Sequence, residues 1–244
     1  MRLIGIAVCL SILGSLGGVI VASTFLLLRD SLRTRLVPWL ISYAVGTLIG
    51  VALLGLVPEA LAQLRARPAM LTMAGGIVAF FLLEKWVLWR HCHDDEECHV
   101  HSTAATLVII GDAFHTFVDG AVIAAAVLTA IPLGVTTAIA VATHEIPQEV
   151  GDVAILLRAG YSRLRAFTLN VLAGAGGILG AAVMVVAGRE LPQILPYVLA
   201  FASGNFLYVA MSDLIPGLHR GEPGGARQVI LIAAGIVTIA LLGS

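Results

Sequence analysis

His115-Thr-Phe-Val-Asp119-Gly120 and His144-Glu-Ile-Pro-Gln148-Glu149, with Asp152 just beyond, each sit in the middle of a run of Ala, Val, Ile and Leu. Those runs, 103–130 and 133–157, each exceed the roughly 20 apolar residues that cross the hydrocarbon core of a bilayer. An ionisable side chain at bilayer depth costs about 2.5–3.5 kcal/mol on insertion scales. Such groups therefore face a protein interior, where they mark an ion or proton path. The two stretches read as membrane helices with something polar to enclose.

The rest of the chain agrees. Of 244 residues, 59% are hydrophobic and only 12% charged, where soluble domains carry about 25% charge. The mean hydropathy is +1.00. Eight spans follow from the 20-residue rule, at 3–28, 37–62, 69–90, 103–130, 133–157, 164–187, 192–216 and 227–243. The expectation is an all-α polytopic membrane protein, a single transmembrane domain over 1–244 whose medium is the lipid bilayer. The uncharged run at 3–28 is longer than the 7–15 residues of a signal-peptide core, so it reads as a retained helix. No basic stripe with interleaved aromatics is present, which argues against a nucleic-acid partner.

Orientation follows from where Lys and Arg fall. Of the 14, Arg29, Arg33, Arg35, Lys85, Arg90, Arg158, Arg163, Arg165, Arg220 and Arg227 flank one side, and Arg2, Arg65, Arg67 and Arg189 the other. Both termini are expected outside, with the loop at 91–101 in the cytosol and Trp86 and Trp89 as interfacial anchors. A weak internal echo is also visible. Gly46 precedes Pro58 by twelve residues in span 2, and Gly204 precedes Pro216 by twelve in span 7. Paired Gly/Pro-marked helices in inverted halves are a transporter pattern, so an inverted repeat of helices 1–3 and 6–8 around helices 4–5 is expected.

Residues three and four apart share a helix face. Asp112, His115, Thr116 and Asp119 then form one stripe, and His144, Glu145, Gln148, Glu149 and Asp152 another. Only Ala130-Ile-Pro-Leu133 joins the two spans, so they become antiparallel neighbours with facing stripes. Pro147 has no N–H, and the Thr143 carbonyl one turn back loses its intrahelical donor. Imidazoles with carboxylates and an amide suit Zn²⁺, Mn²⁺ or Fe²⁺ over soft Cu(I). A buried hydrogen-bond network is a poor rival, because interhelical hydrogen bonds in membranes average only about 0.6 kcal/mol.

His144-Glu145 also begins like the metalloprotease motif H-E-x-x-H, which makes an intramembrane metal-dependent hydrolase the alternative reading. Gln148 stands where that motif requires its second His. The expectation is therefore no enzyme and no catalytic cofactor. His91-Cys-His-Asp-Asp-Glu-Glu-Cys-His99-Val-His101 is a compositional metal-binding tract, suited to buffering or sensing rather than to a folded zinc finger.

With these residues in view, the chain resembles the ZIP (Zrt-, Irt-like) family of divalent metal transporters, in the branch with an H-E-I-P-H-E fifth helix. His115-Thr-Phe-Val-Asp119-Gly120 is similar to the family's H-N-F-x-D-G. His144-Glu-Ile-Pro-Gln148-Glu149 with Gly151-Asp152 is similar to its fifth helix, and Phe206-Leu-Tyr-Val-Ala-Met-Ser-Asp213-Leu-Ile-Pro216 to its seventh. The resemblance implies uptake of Zn²⁺ or a related ion into the cytosol across a cell (inner) membrane. It also implies a two-metal site between helices 4 and 5, a homodimer and an elevator-like movement. His115, Asp119, His144 and Glu145 carry over as metal ligands, with Gln148 and Glu149 beside them. Thr116 replaces the family's Asn, Gln148 its second His, and Val51 and Gly55 stand where relatives carry Asp and His.

Overall fold

The computed structural model describes residues 2–25, 28, 30–91, 100–219 and 225–243. Regular structure among them is entirely helical, arranged in eight rods. Helix α1 is Arg2–Phe25. Helix α2 starts as Asp30–Gly50, widens over Val51–Leu56 and ends as Val57–Gln63. Helices α3, α4, α5 and α6 are Ala66–His91, Val100–Thr129, Ile131–Arg158 and Arg163–Glu190. Helix α7 enters through a tight turn at Pro192–Ile194, runs as Leu195–Tyr208, widens over Val209–Leu214 and closes as Ile215–His219. Helix α8 is Gly225–Leu242.

Seven of the eight rods are long and apolar enough to cross a membrane. The eighth is α5. Its 28 residues span about 42 Å at 1.5 Å each, so length is not what sets it apart. The acids and His144 lower its apolarity, and they point inward: His144, Glu145 and Glu149 are all fully or almost fully buried. The chain is thus a polytopic helical membrane protein, as composition requires. The tract at 92–99 and the side chains of Trp86 and Trp89 lie outside the described residues, and so do the expectations placed on them.

Packing divides the rods into two groups. One comprises α1, α4, α5 and α6, the other α2, α3, α7 and α8. Pairings recur between the halves of the chain: α3 packs on α7 as α8 packs on α2, and α4 packs on α6 as α5 packs on α1. Exchanging 1 with 6, 2 with 7, 3 with 8 and 4 with 5 leaves this pattern unchanged, which is the expected repeat. Gly46 and Gly204 occupy matching places in it. A Cβ on Gly46 would run into the Ile232 carbonyl of α8, and one on Gly204 into the Met73 carbonyl of α3. Both glycines are required for backbone-to-backbone approach, the device that membrane helices use in place of a hydrophobic drive.

The wide turns at Val51–Leu56 and Val209–Leu214 also match, each finishing just before a proline, Pro58 or Pro216. Proline lacks an N–H and crowds the carbonyl one turn back. An i→i+5 turn absorbs both problems without ending the helix. At Pro147 no such widening occurs, and α5 passes through it as one continuous helix.

Candidate metal centre

Four of the expected ligands converge. His115 and Asp119 stand one turn apart on α4, and His144 and Glu145 are adjacent on α5. One potential ligand atom from each lies within 4.8 Å of all the others. The two imidazole Nε2 atoms are 3.2 Å apart. Asp119 Oδ2 is 3.0 Å from His144 Nε2 and 3.5 Å from His115 Nε2. Ligand atoms arranged tetrahedrally about an ion at about 2.0 Å stand about 3.3 Å from one another. The observed spacings bracket that value.

The hydrogen-bond pattern sharpens the point. His144 Nδ1 lies 2.9 Å from the Ala140 carbonyl, which can only accept, so Nδ1 carries the proton. That bond orients the ring and leaves Nε2 with a lone pair in the neutral imidazole, as the outward hydrogen bond of a metal-binding histidine does. A lone pair on Nε2 facing Asp119 Oδ2 at 3.0 Å is repulsive unless a cation or an extra proton joins them. The rings are further held by aromatic edges: Phe80 of α3 against His115, and Phe206 of α7 against His144.

Glu149 joins a second group, with Glu145 shared and Asp112 as the third member. Asp112 is 4% exposed and the two glutamates are fully buried. Among the described residues, both carboxylate oxygens of Asp112, Glu145 and Glu149, and Oδ1 of Asp119, have no hydrogen-bond partner. Buried polar atoms are paired in the great majority of cases, and an unpaired buried charge is costly. The pocket therefore demands positive charge, as ions or as protons.

Gln148 lines an adjoining cavity. That cavity, roughly 360 Å³, is bordered by Glu84, Asp112, His115, Gln148, Asp152 and Asp213 from four different helices. Thr116, on the same stripe, turns away from it: its hydroxyl is 2.8 Å from the Ala173 carbonyl and fastens α4 to α6. Asp112 was legible in advance as one turn before His115, though spacing alone did not separate it from a helix-lining acid. Glu84 and Asp213 reach the cavity only through the packing of α3 and α7, which no local signal announces. Tyr208 of α7 donates its hydroxyl to Glu84 at the same rim.

These features define a class: a polytopic membrane protein enclosing a buried histidine–carboxylate pocket fit for a divalent cation. Residues 88–243 match the family described as ZIP zinc transporter. The chain is 34% identical to zinc transporter ZIP13 of Pongo abelii over 219 residues, covering 83% of this chain and 65% of that protein. It is 29% identical over 248 residues to zinc transporter ZIP13 of Mus musculus, covering 83% and 69%. Against zinc transporter ZIP10 of Homo sapiens identity is 34% over 145 residues, 55% of this chain and 17% of that protein. The chain thus spans about two thirds of the length of the ZIP13 proteins. It belongs to the ZIP zinc transporter family.

Proposed function

We propose that this protein imports a divalent transition metal, zinc foremost, into the cytosol through the pocket between α4 and α5, and that it is a carrier rather than an enzyme. The ion is the cargo, held by His115, Asp119, His144 and Glu145, with Glu149 and Gln148 at its flank. One observation carries the reading: three potential ligand atoms, two Nε2 and Asp119 Oδ2, meet at 3.0–3.5 Å with the His144 lone pair facing a carboxylate. A mixed nitrogen and oxygen set suits zinc without closing around it as a Cys₄ cage does. The neighbouring acids, sharing Glu145, offer room for a second ion.

The cavity beside His115 supplies a polar route, and the sequence bias of Lys and Arg assigns it to the cytosolic side, with both termini outside. There the tract at 91–101 buffers emerging ions. The protein acts in the cell (inner) membrane as a homodimer. The hydrolase alternative lacks support from the pocket, because Gln148 occupies the position of the missing second His.

The test is metal uptake into proteoliposomes. His115→Ala and His144→Ala each abolish zinc uptake while the protein still elutes as a monodisperse species. Normal uptake by either variant overturns the reading. Hydrolysis of a peptide or ester by the detergent-solubilised protein, lost in the same variants, would favour the enzyme instead.

A further inference from the structure

On the far side of Phe80 from the polar cavity lies a second hollow, roughly 310 Å³, and its lining is apolar throughout. Ala79, Leu82 and Leu83 of α3, Phe114 and Val118 of α4, and Phe201 of α7 form its walls. It opens along the seam where α3 meets α4, so it lies between the two helix groups. Phe114 and Leu82, in its lining, are 49% and 56% exposed on the apolar outer surface of their spans. Phe80 and Leu83 border both this hollow and the cavity holding His115. A single side-chain layer therefore separates an apolar groove from the ion-facing space.

We propose that this groove is a binding site for one acyl chain of an anionic phospholipid. The chemistry at its end selects the headgroup. The apolar span of α3 closes at Lys85, an exposed cation one turn beyond Leu82, with its ammonium 5.5 Å from the Phe81 ring centroid. A phosphate at Lys85 leaves the chain to descend past Leu82 and Ala79, about 9 Å along the helix at 1.5 Å per residue. Lys near a membrane surface attracts anionic headgroups in this way. With the chain seated, Phe80 is backed by hydrocarbon and kept edge-on to His115, 6.0 Å between ring centroids. The lipid then helps position a residue of the pocket without touching it. The inference rests on the membrane fold and the groove, and it stands whether or not the pocket carries zinc.

The test uses the full chain in phosphatidylcholine nanodiscs containing a phosphatidylglycerol probe with a photoreactive acyl chain, followed by peptide mapping. Labelling is expected to concentrate on the peptides holding 79–83 and 114–118. Filling the groove by Val118→Trp, or independently by Ala79→Phe, removes that labelling. Leu172→Phe, on a lipid-facing position of α6, leaves it in place. Lys85→Gln lowers the preference for the anionic probe over a phosphatidylcholine probe by about five-fold, the effect of one basic side chain at an anionic surface. Labelling spread evenly over all lipid-facing helices overturns the proposal, and so does labelling that survives both filling variants. Disulfide formation between two copies carrying Phe114→Cys would assign the groove to a second protein chain and overturn it as well.

Discussion

At the residue scale, the proposed pocket rests on two shared residues. Asp119 Oδ2 faces both imidazoles, and Glu145 belongs to both ligand groups. Glu145→Gln should therefore weaken metal binding at both positions, whereas Glu149→Gln should affect only the all-oxygen one. Metal content of the purified variants, counted by mass spectrometry after loading with zinc, separates the two. Equal losses in both variants would show that the groups do not act as two positions. Thr116 makes a different prediction. Its hydroxyl serves the Ala173 carbonyl, and Thr116→Val removes one interhelical hydrogen bond, worth about 0.6 kcal/mol on average in membranes. A small drop in melting temperature with uptake retained is the expected result. Loss of zinc binding in that variant would mean that the hydroxyl serves the ion.

Much of this could be read from the chain. Helical spacing put His115 with Asp119 and His144 with Glu145 on two stripes, and a short connection, only Ala130 between the two helices, lets those stripes face one another. Gln148 and Glu149 could not be ranked by spacing, since both share the stripe. Only the rotation of α5 against α4 decides that Glu149 is buried with Asp112 while Gln148 borders the cavity. Thr116 was equally ambiguous, because its acceptor lies on α6, 57 residues away.

At the scale of elements, close approach governs the packing. Gly120 and Gly180 lie in the α4–α6 contact, where added Cβ atoms would strike the Gly177 and Phe117 carbonyls respectively. Backbone obstacles cannot swing aside as side chains can. Gly180→Val should separate α4 from α6 and cost about 1–3 kcal/mol, the usual range for overpacking. A thermal shift in detergent would measure it, and an unchanged midpoint would mean that the two helices are not held at that distance. The twelve-residue interval from Gly to Pro in α2 and α7 announced a repeat, but not what the prolines do. Widened turns before Pro58 and Pro216, against an unbroken helix at Pro147, depend on the helices packed around each.

For the whole molecule, the two helix groups meet around the pocket. The proposed ligands stand on α4 and α5 of one group, and the aromatic edges on His115 and His144 come from α3 and α7 of the other. A hydrogen bond of 2.8 Å between Thr47 of α2 and Thr143 of α5 also crosses that boundary. Metal binding by such a pocket competes with protons, since imidazole must be neutral and carboxylate ionised to act as ligands. Zinc affinity should therefore fall as the pH is lowered, with the sign unchanged whichever group titrates first. Equilibrium binding across a pH series checks this, and affinity that rises on acidification would exclude the histidines as ligands. Removing residues 92–99 should leave zinc uptake intact while changing its response to cytosolic metal. Complete loss of uptake would make the tract part of the path.

The sequence by itself determined the solvent, the helical class and the chemistry of the pocket. Each of these follows from composition or from spacing within one helix, where covalent geometry sets which residues are neighbours. Tertiary structure alone decided which acids complete the pocket, which hydroxyl is spent on the backbone, and where an apolar groove adjoins a polar cavity. Those outcomes depend on the rotation and separation of helices far apart in the chain. These are set by the summed packing of many small side chains, and no local pattern records that sum.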